Sequence, residues 1–304
     1  MNAGKTRTVL QFPLLACCVV TFAAANVRAD LTPRLARKAL TRMAGFGLTN
    51  DSVRVKNIST TNAAAAEVSA EIRAVFKFAQ DKQGRWCVAE IRTGQDRWEE
   101  IDLIAAAFKT QVSRTECTAP DPPSRGSLPI DPSVKRVRCL LGSLLGVEIP
   151  SDAVRIQEVD PMPIPLASQA SATVVSWVKV DARLLNEKTG WRVVELRTGS
   201  HEWVKLEPLI AALNEEKQKK AQAELELMAK ALERFHKDRG YYVVSDSQAV
   251  AIDHLSPRYL TQVIRVDPWH QPYKYQGERD HFTLRSAGPD GKADTPDDVF
   301  IQSR

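Results

Sequence analysis

Four aspartates fall within nine residues near the C-terminus: Asp290, Asp294, Asp297 and Asp298, interleaved with Gly291, Thr295 and Pro296. Carboxylates that close together repel one another unless water or a cation separates them. A hard cation such as Ca²⁺ takes about six to eight oxygens from carboxylates and backbone carbonyls. Asp290, Asp297 and Asp298 can supply the carboxylates, and Gly288 and Gly291 let the chain turn sharply around an ion. Asp294 is either a further ligand or a solvated turn residue. Without metal, the same residues read as an acidic surface turn, because Asp and Gly favour turns on their own account.

No other residue pattern carries chemistry as directly. The histidines at 201, 236, 254, 270 and 281 show no metal spacing such as H-E-x-x-H, and no serine or cysteine stands in a nucleophile-elbow context. No Gly-rich phosphate loop is present, so the chain reads as a non-enzymatic protein. Lys5 and Arg7 followed by the apolar stretch Val9 to Ala25 and by Val27-Arg28-Ala29 form the pattern of a signal peptide over residues 1–29. An uncleaved membrane anchor is the alternative reading. The formal charge is +5, and falls to +2 without Lys5, Arg7 and Arg28 (39 basic against 37 acidic residues), so charge gives no case for nucleic acid. With that segment removed, no membrane span remains. Three cysteines follow it. Cys87 sits in the apolar run Trp86 to Ile91, and Cys117 and Cys139 flank the proline-rich stretch 115–131 and could close it as a loop.

The elements that position these residues begin with a repeat. Asp51-Ser52-Val53-Arg54-Val55 matches Asp152-Ala153-Val154-Arg155-Ile156, and Trp86-Cys87-Val88-Ala89-Glu90-Ile91-Arg92-Thr93-Gly94 matches Trp191-Arg192-Val193-Val194-Glu195-Leu196-Arg197-Thr198-Gly199. Trp98 likewise matches Trp203. The spacing is slightly over one hundred residues, the scale of a duplicated domain. Each copy reads as a helix (Pro33 to Ala44; Pro132 to Leu145) closed by Gly45 or Gly146, a short strand (Val53–Ile58; Val154–Val159) and a β-hairpin. A second helix follows from Ile101 or Pro208. The fold class expected is α+β: two duplicated helix-plus-antiparallel-sheet modules, at 30–114 and 132–213, joined by the linker 115–131. The repeated Arg-Thr-Gly…Trp element reads as structural, with Arg92 and Arg197 capping or stacking on Trp98 and Trp203.

The second module runs into a helix expected from Pro208 to about Asp238. Its stretch Asn214 to Lys220 is entirely polar, as a solvated bridge would be. Beyond it Ala221, Leu225, Met228, Leu232 and Phe235 place one apolar stripe on one face. Trp269, Tyr273 and Tyr275 alternate as on a strand that packs over Leu232 and Phe235.

The order Asp238-Arg239-Gly240-Tyr241-Tyr242, then Asp267 to Tyr275, then Ser286 to Val299 resembles the C-terminal domain of the major pseudopilin of type II secretion systems. There a helix leads into D-x-G-x-Y, a D-P-W-G-x-P-Y-x-Y segment and a calcium loop of the form S-x-G-x-D-G…D-D-[IV]. The resemblance implies a helix-plus-small-sheet domain at 214–304. It also implies calcium held by Asp290, Asp297 and Asp298 together with carbonyls around Leu284 and Ser286. His270 and Asp294 stand where that family carries Gly, and Val243 where it carries Pro. Pseudopilins also begin with a leader, a Gly-Phe cleavage site and a long apolar helix. Gly45-Phe46 is followed instead by polar Asn50-Asp51. The expectation is therefore a periplasmic or secreted binding or docking protein, with a protein partner in the envelope or secretion apparatus. The alternative is a secreted hydrolase with its site in one of the repeat modules.

Overall fold

The computed structural model describes residues 30–81, 84–109, 132–160 and 170–303. The expected signal peptide and linker lie outside the described residues. Helix α1 (Pro33–Thr41) starts on an Ncap: the Thr32 hydroxyl accepts from the Leu35 amide, and Pro33 is the first helical residue. It ends one turn before Ala44. There Arg42 and Met43 bond back to Ala39 and Leu40 in tighter turns, and the Thr41 hydroxyl donates to the Lys38 carbonyl. Helix α3 (Val134–Leu145) is capped by Ser133 and ends, as expected, at left-handed Gly146.

Between and after these helices run β1 (Val53–Asn62), β2 (Ala65–Gln80), β3 (Trp86–Arg92), β4 (Trp98–Glu100) and the short helix α2 (Ile101–Ala107). After α3 come β5 (Val154–Asp160), β6 (Ser171–Glu187), β7 (Gly190–Thr198) and β8 (Val204–Lys205). The short antiparallel sheet expected within each copy is instead half of one eight-stranded sheet. β2 and β6 pair antiparallel along nearly their whole length, from Ala65 opposite Leu185 to Ala79 opposite Ser171. β1 and β3 follow one another along the outer side of β2, as β5 and β7 do along β6. An unpaired edge as long as β2 would expose a row of backbone donors and acceptors, and β6 covers it.

The halves also share irregularities. The ladder breaks between Val55 and Asn57 in β1 and between Ile156 and Glu158 in β5. It breaks again between Lys77 and Phe78 in β2 and between Arg183 and Leu184 in β6. Helix α1 packs on β1 but also on β7, while α3 packs on β5 and also on β3. One buried cluster therefore serves both halves, with Leu40, Phe76, Phe78, Leu140, Leu141, Val174 and Leu184 among its members.

Helix α4 (Leu206–Arg239) is continuous, ends at left-handed Gly240 and links this sheet to a second, smaller core. Its stripe Ala221, Leu225, Met228, Leu232 and Phe235 packs with α5 (Gln248–Leu255) and with a three-stranded sheet. That sheet comprises β9 (Lys274–Gly277), β10 (Phe282–Ser286) and β11 (Val299–Gln302), with β10 in the middle. Among the described residues no helix is long and apolar enough to cross a membrane.

Candidate cation loop and domain junction

Strand β10 delivers the chain into the aspartate loop and β11 takes it away. The two are paired from Thr283–Gln302 to Ser286–Val299, so both ends of the loop are fixed. Within it three carboxylates gather around one hydroxyl. Thr295 Oγ1 lies 2.7 Å from Asp297 Oδ1, 3.3 Å from Asp298 Oδ1 and 3.5 Å from Asp290 Oδ1. The hydroxyl has one proton and can donate to one of them at a time. The shortest bond goes to Asp297, and this first of all holds the Asp297 carboxyl below the ordinary carboxylate range.

Backbone amides also serve these carboxylates. Lys292 donates to Asp290 Oδ1 at 2.8 Å and Asp294 donates to Asp298 Oδ2 at 2.8 Å. Gly288 has φ +62°, and a Cβ there would meet the Asp297 carbonyl at 2.5 Å and Asp297 Oδ2 at 2.9 Å. The loop therefore closes on itself only because residue 288 has no side chain.

The sequence-predicted set is thus partly brought together. Asp290, Asp297 and Asp298 converge. Ser286 sits at the loop's base with its hydroxyl engaged elsewhere, and Leu284 lies in mid-strand between Tyr275 and Ile301. Thr295 is the residue that sequence reasoning passed over, although its place among the aspartates was the available signal. Asp294 turns away from the triad and forms an ion pair with Arg285, which also approaches Asp298 Oδ2 at 3.5 Å. Among the described residues, no three His, Cys, Asp or Glu side chains form a ready metal cage. In this loop the Thr295 hydroxyl takes the place between the carboxylates.

From Ser286 a chain of hydrogen bonds leads out of the loop. Its hydroxyl donates to Asp267 Oδ2 at 2.5 Å, and Asp267 Oδ1 accepts from the Trp269 and Gln271 amides at 2.9 Å each. All three polar commitments of this buried carboxylate are met. Asp267 thereby shapes a tight loop with left-handed His270, so the segment expected as a strand from Asp267 is extended only from Lys274. Tyr273 and Tyr275 do bury in the core with Leu232 and Phe235. Trp269 instead reaches back to α4, donating from Nε1 to Asn214 Oδ1 at 3.0 Å.

The polar stretch 214–220 is therefore solvated on one face only, where Glu215, Gln218 and Lys219 are exposed. Lys217 donates to Glu99 of β4 at 2.6 Å, with side-chain exposures of 7% and 10%. Lys220 binds Glu100 and approaches Glu224 at 3.8 Å, and the Tyr273 hydroxyl donates to Glu224 at 2.6 Å. Burial raises the Glu224 carboxyl above its ordinary value against the pull of Tyr273 and Lys220. Burial and the neighbouring Glu224 push the Tyr273 phenol far up. A polar helix surface has been covered by matching polar groups from both sides.

The repeated Arg-Thr-Gly element has a packing role. A Cβ on Gly199 would meet the Gly146 carbonyl at 2.0 Å, and Gly47, which donates to the Thr93 carbonyl, lies against Gly94. Arg197 stacks on Trp203 at 4.6 Å, as does Arg183 at 4.1 Å. In the first half Arg92 and Trp98 are instead cross-strand partners, and a further stack, Arg54 of β1 on Trp177 of β6 at 3.7 Å, joins the two halves. Cys87 is a buried thiol, as its apolar context implies. Cys139 is disulfide-bonded, and Cys117, the other cysteine flanking the linker, lies outside the described residues.

No curated protein and no solved structure matches the chain. Residues 208–303, which comprise most of α4, the smaller core and the aspartate loop, match the family described as type II secretion system (T2SS), protein G, and this C-terminal segment is pseudopilin-like.

Proposed function

We propose that the chain is an extracytoplasmic, non-enzymatic docking protein whose pseudopilin-like domain is stabilised by Ca²⁺ and engages a protein of the secretion apparatus or a related envelope assembly. The observation that carries this reading is the convergence of Asp290, Asp297 and Asp298 on one point of a loop in the segment that matches protein G. The donors are hard oxygens of net negative charge, which suits Ca²⁺ better than a soft metal. Carbonyls around Leu284 and Ser286 would complete the set, and Thr295 is the group that a cation would replace or recruit. Bound Ca²⁺ would neutralise acids that otherwise open the loop, so its binding energy would appear as stability.

Two further features support docking over pilus assembly. The helix that enters the matched domain comes from a β-sheet unit and is occupied along its polar stretch by β4. We read the two halves of that unit as duplicated modules, on the strength of their matching ladder breaks and of the repeated sequence.

The test is thermal unfolding of the full chain in Ca²⁺ and in chelator, for wild type and for Asp297→Ala. A midpoint raised by Ca²⁺ in wild type alone is expected, and a chelator-insensitive midpoint would sink the metal reading. Crosslinking in the envelope should recover a secretion-apparatus protein through residues 208–303. Recovery that persists after those residues are deleted would move docking to the sheet unit.

A further inference from the structure

The junction holds one group that docking leaves unused. His270 has φ +68°, a left-handed conformation that costs a non-glycine residue. Its Nε2 is buried without a hydrogen-bond partner and lies 3.6 Å from Glu99 Oε1, just beyond bonding distance. A glycine would fit this backbone better, so the imidazole occupies the position at an energetic cost.

The junction around it carries charges of both signs. Glu99 and Glu100 come from β4, and Lys217, Lys220 and Glu224 from α4. Asp267 and the neutral phenol of Tyr273 come from its own segment. Of these, Glu99 is the carboxylate nearest the imidazole, and its Oε1 also accepts from Lys217 at 2.6 Å. Histidine is the side chain whose charge ordinarily changes between about pH 5 and 8.

We propose that His270 is a proton-dependent latch between the two units: when protonated, it donates from Nε2 to Glu99 and draws the loop 267–271 onto β4. The loop is anchored at its other end, since Asp267 holds both the Trp269 amide and Ser286. The small shift needed to close 3.6 Å would therefore tighten the seating of the whole pseudopilin-like domain on the sheet unit.

Hydrogen exchange of the full chain tests this. The amides of Trp98 to Glu100 and of Trp269 to Gln271 are followed at about pH 5.5 and about pH 7.5, after correction for intrinsic exchange. Wild type should show roughly tenfold greater protection at the lower pH, the scale of one charge-assisted bond. His270→Gln can bond Glu99 at either pH and should lose the pH response. His270→Gly should lose it too, while the thermal midpoint of the smaller core holds or rises as the backbone relaxes. Glu224 contributes a pH response of its own to this junction, so the comparison is of size: a response as large in either variant as in wild type overturns the proposal, as does its absence in wild type.

Discussion

Lys217 Nζ and Glu99 Oε1 meet at 2.6 Å, with both side chains almost out of contact with water, so α4 and β4 are joined by a buried ion pair. Removing one partner leaves the other charge buried alone. Lys217→Ala or Glu99→Ala should each destabilise the chain by ~3–5 kcal/mol, whereas Lys217→Met combined with Glu99→Leu should come close to neutral. Urea unfolding of the four-member cycle measures this. Single-variant losses under about 1 kcal/mol would mean that the pair behaves as a surface bridge.

Gly199 and Gly94 each follow an Arg-Thr pair but tolerate a side chain differently. At Gly199, φ is +51° and a Cβ would meet the Gly146 backbone. At Gly94 φ is not positive, and a Cβ would meet the Arg97 side chain, closest at Nε at 2.8 Å, and no backbone as near. Gly199→Ala should therefore cost more than about 2 kcal/mol and Gly94→Ala well under 1 kcal/mol. Thermal midpoints of the two variants decide it, and equal losses would count against the backbone clash as the cause.

Glu224 should leave a mark on the pH dependence of stability. Burial holds its folded pKa above the ordinary carboxylate value, so its contribution is fully present below that ordinary value and is lost as pH rises through the folded one. Glu224→Gln keeps an acceptor for Tyr273 but no longer titrates. Across that window the variant should gain stability relative to wild type as pH rises, in denaturant titrations at matched ionic strength. A difference that stays flat with pH would remove Glu224 as the source.

Thr295→Val separates the hydroxyl from the carboxylates. Without Ca²⁺ the variant leaves three acids with no shared donor, so its midpoint should fall below that of wild type. With saturating Ca²⁺ the gap should narrow, because the ion replaces what the hydroxyl did. A gap that widens with Ca²⁺ would make Thr295 a ligand rather than a placeholder.

Two departures from the pseudopilin pattern explain themselves in the structure. His270 and Asp294, which stand where that family carries Gly, both have left-handed backbones, at φ +68° and +67°. Each side chain then finds a use, Asp294 pairing with Arg285 and His270 facing Glu99. The resemblance marked both places as unusual, and the left-handed backbone accounts for a preference for glycine there.

Local chemistry was largely legible along the chain. The apolar stripe of α4, the cap at Gly146 and the aspartates of the loop depend on neighbours a few residues away, and their spacing determines them. What required the tertiary structure was everything that depends on distant partners. Polar residues 214–220 look the same in sequence whether water or Glu99 and Glu100 faces them. Strands β2 and β6 could each have ended a separate sheet, and only their mutual pairing decided otherwise. Spacing fixes which face a side chain occupies, whereas burial of a charge or of a strand edge is settled by what arrives from elsewhere to cover it.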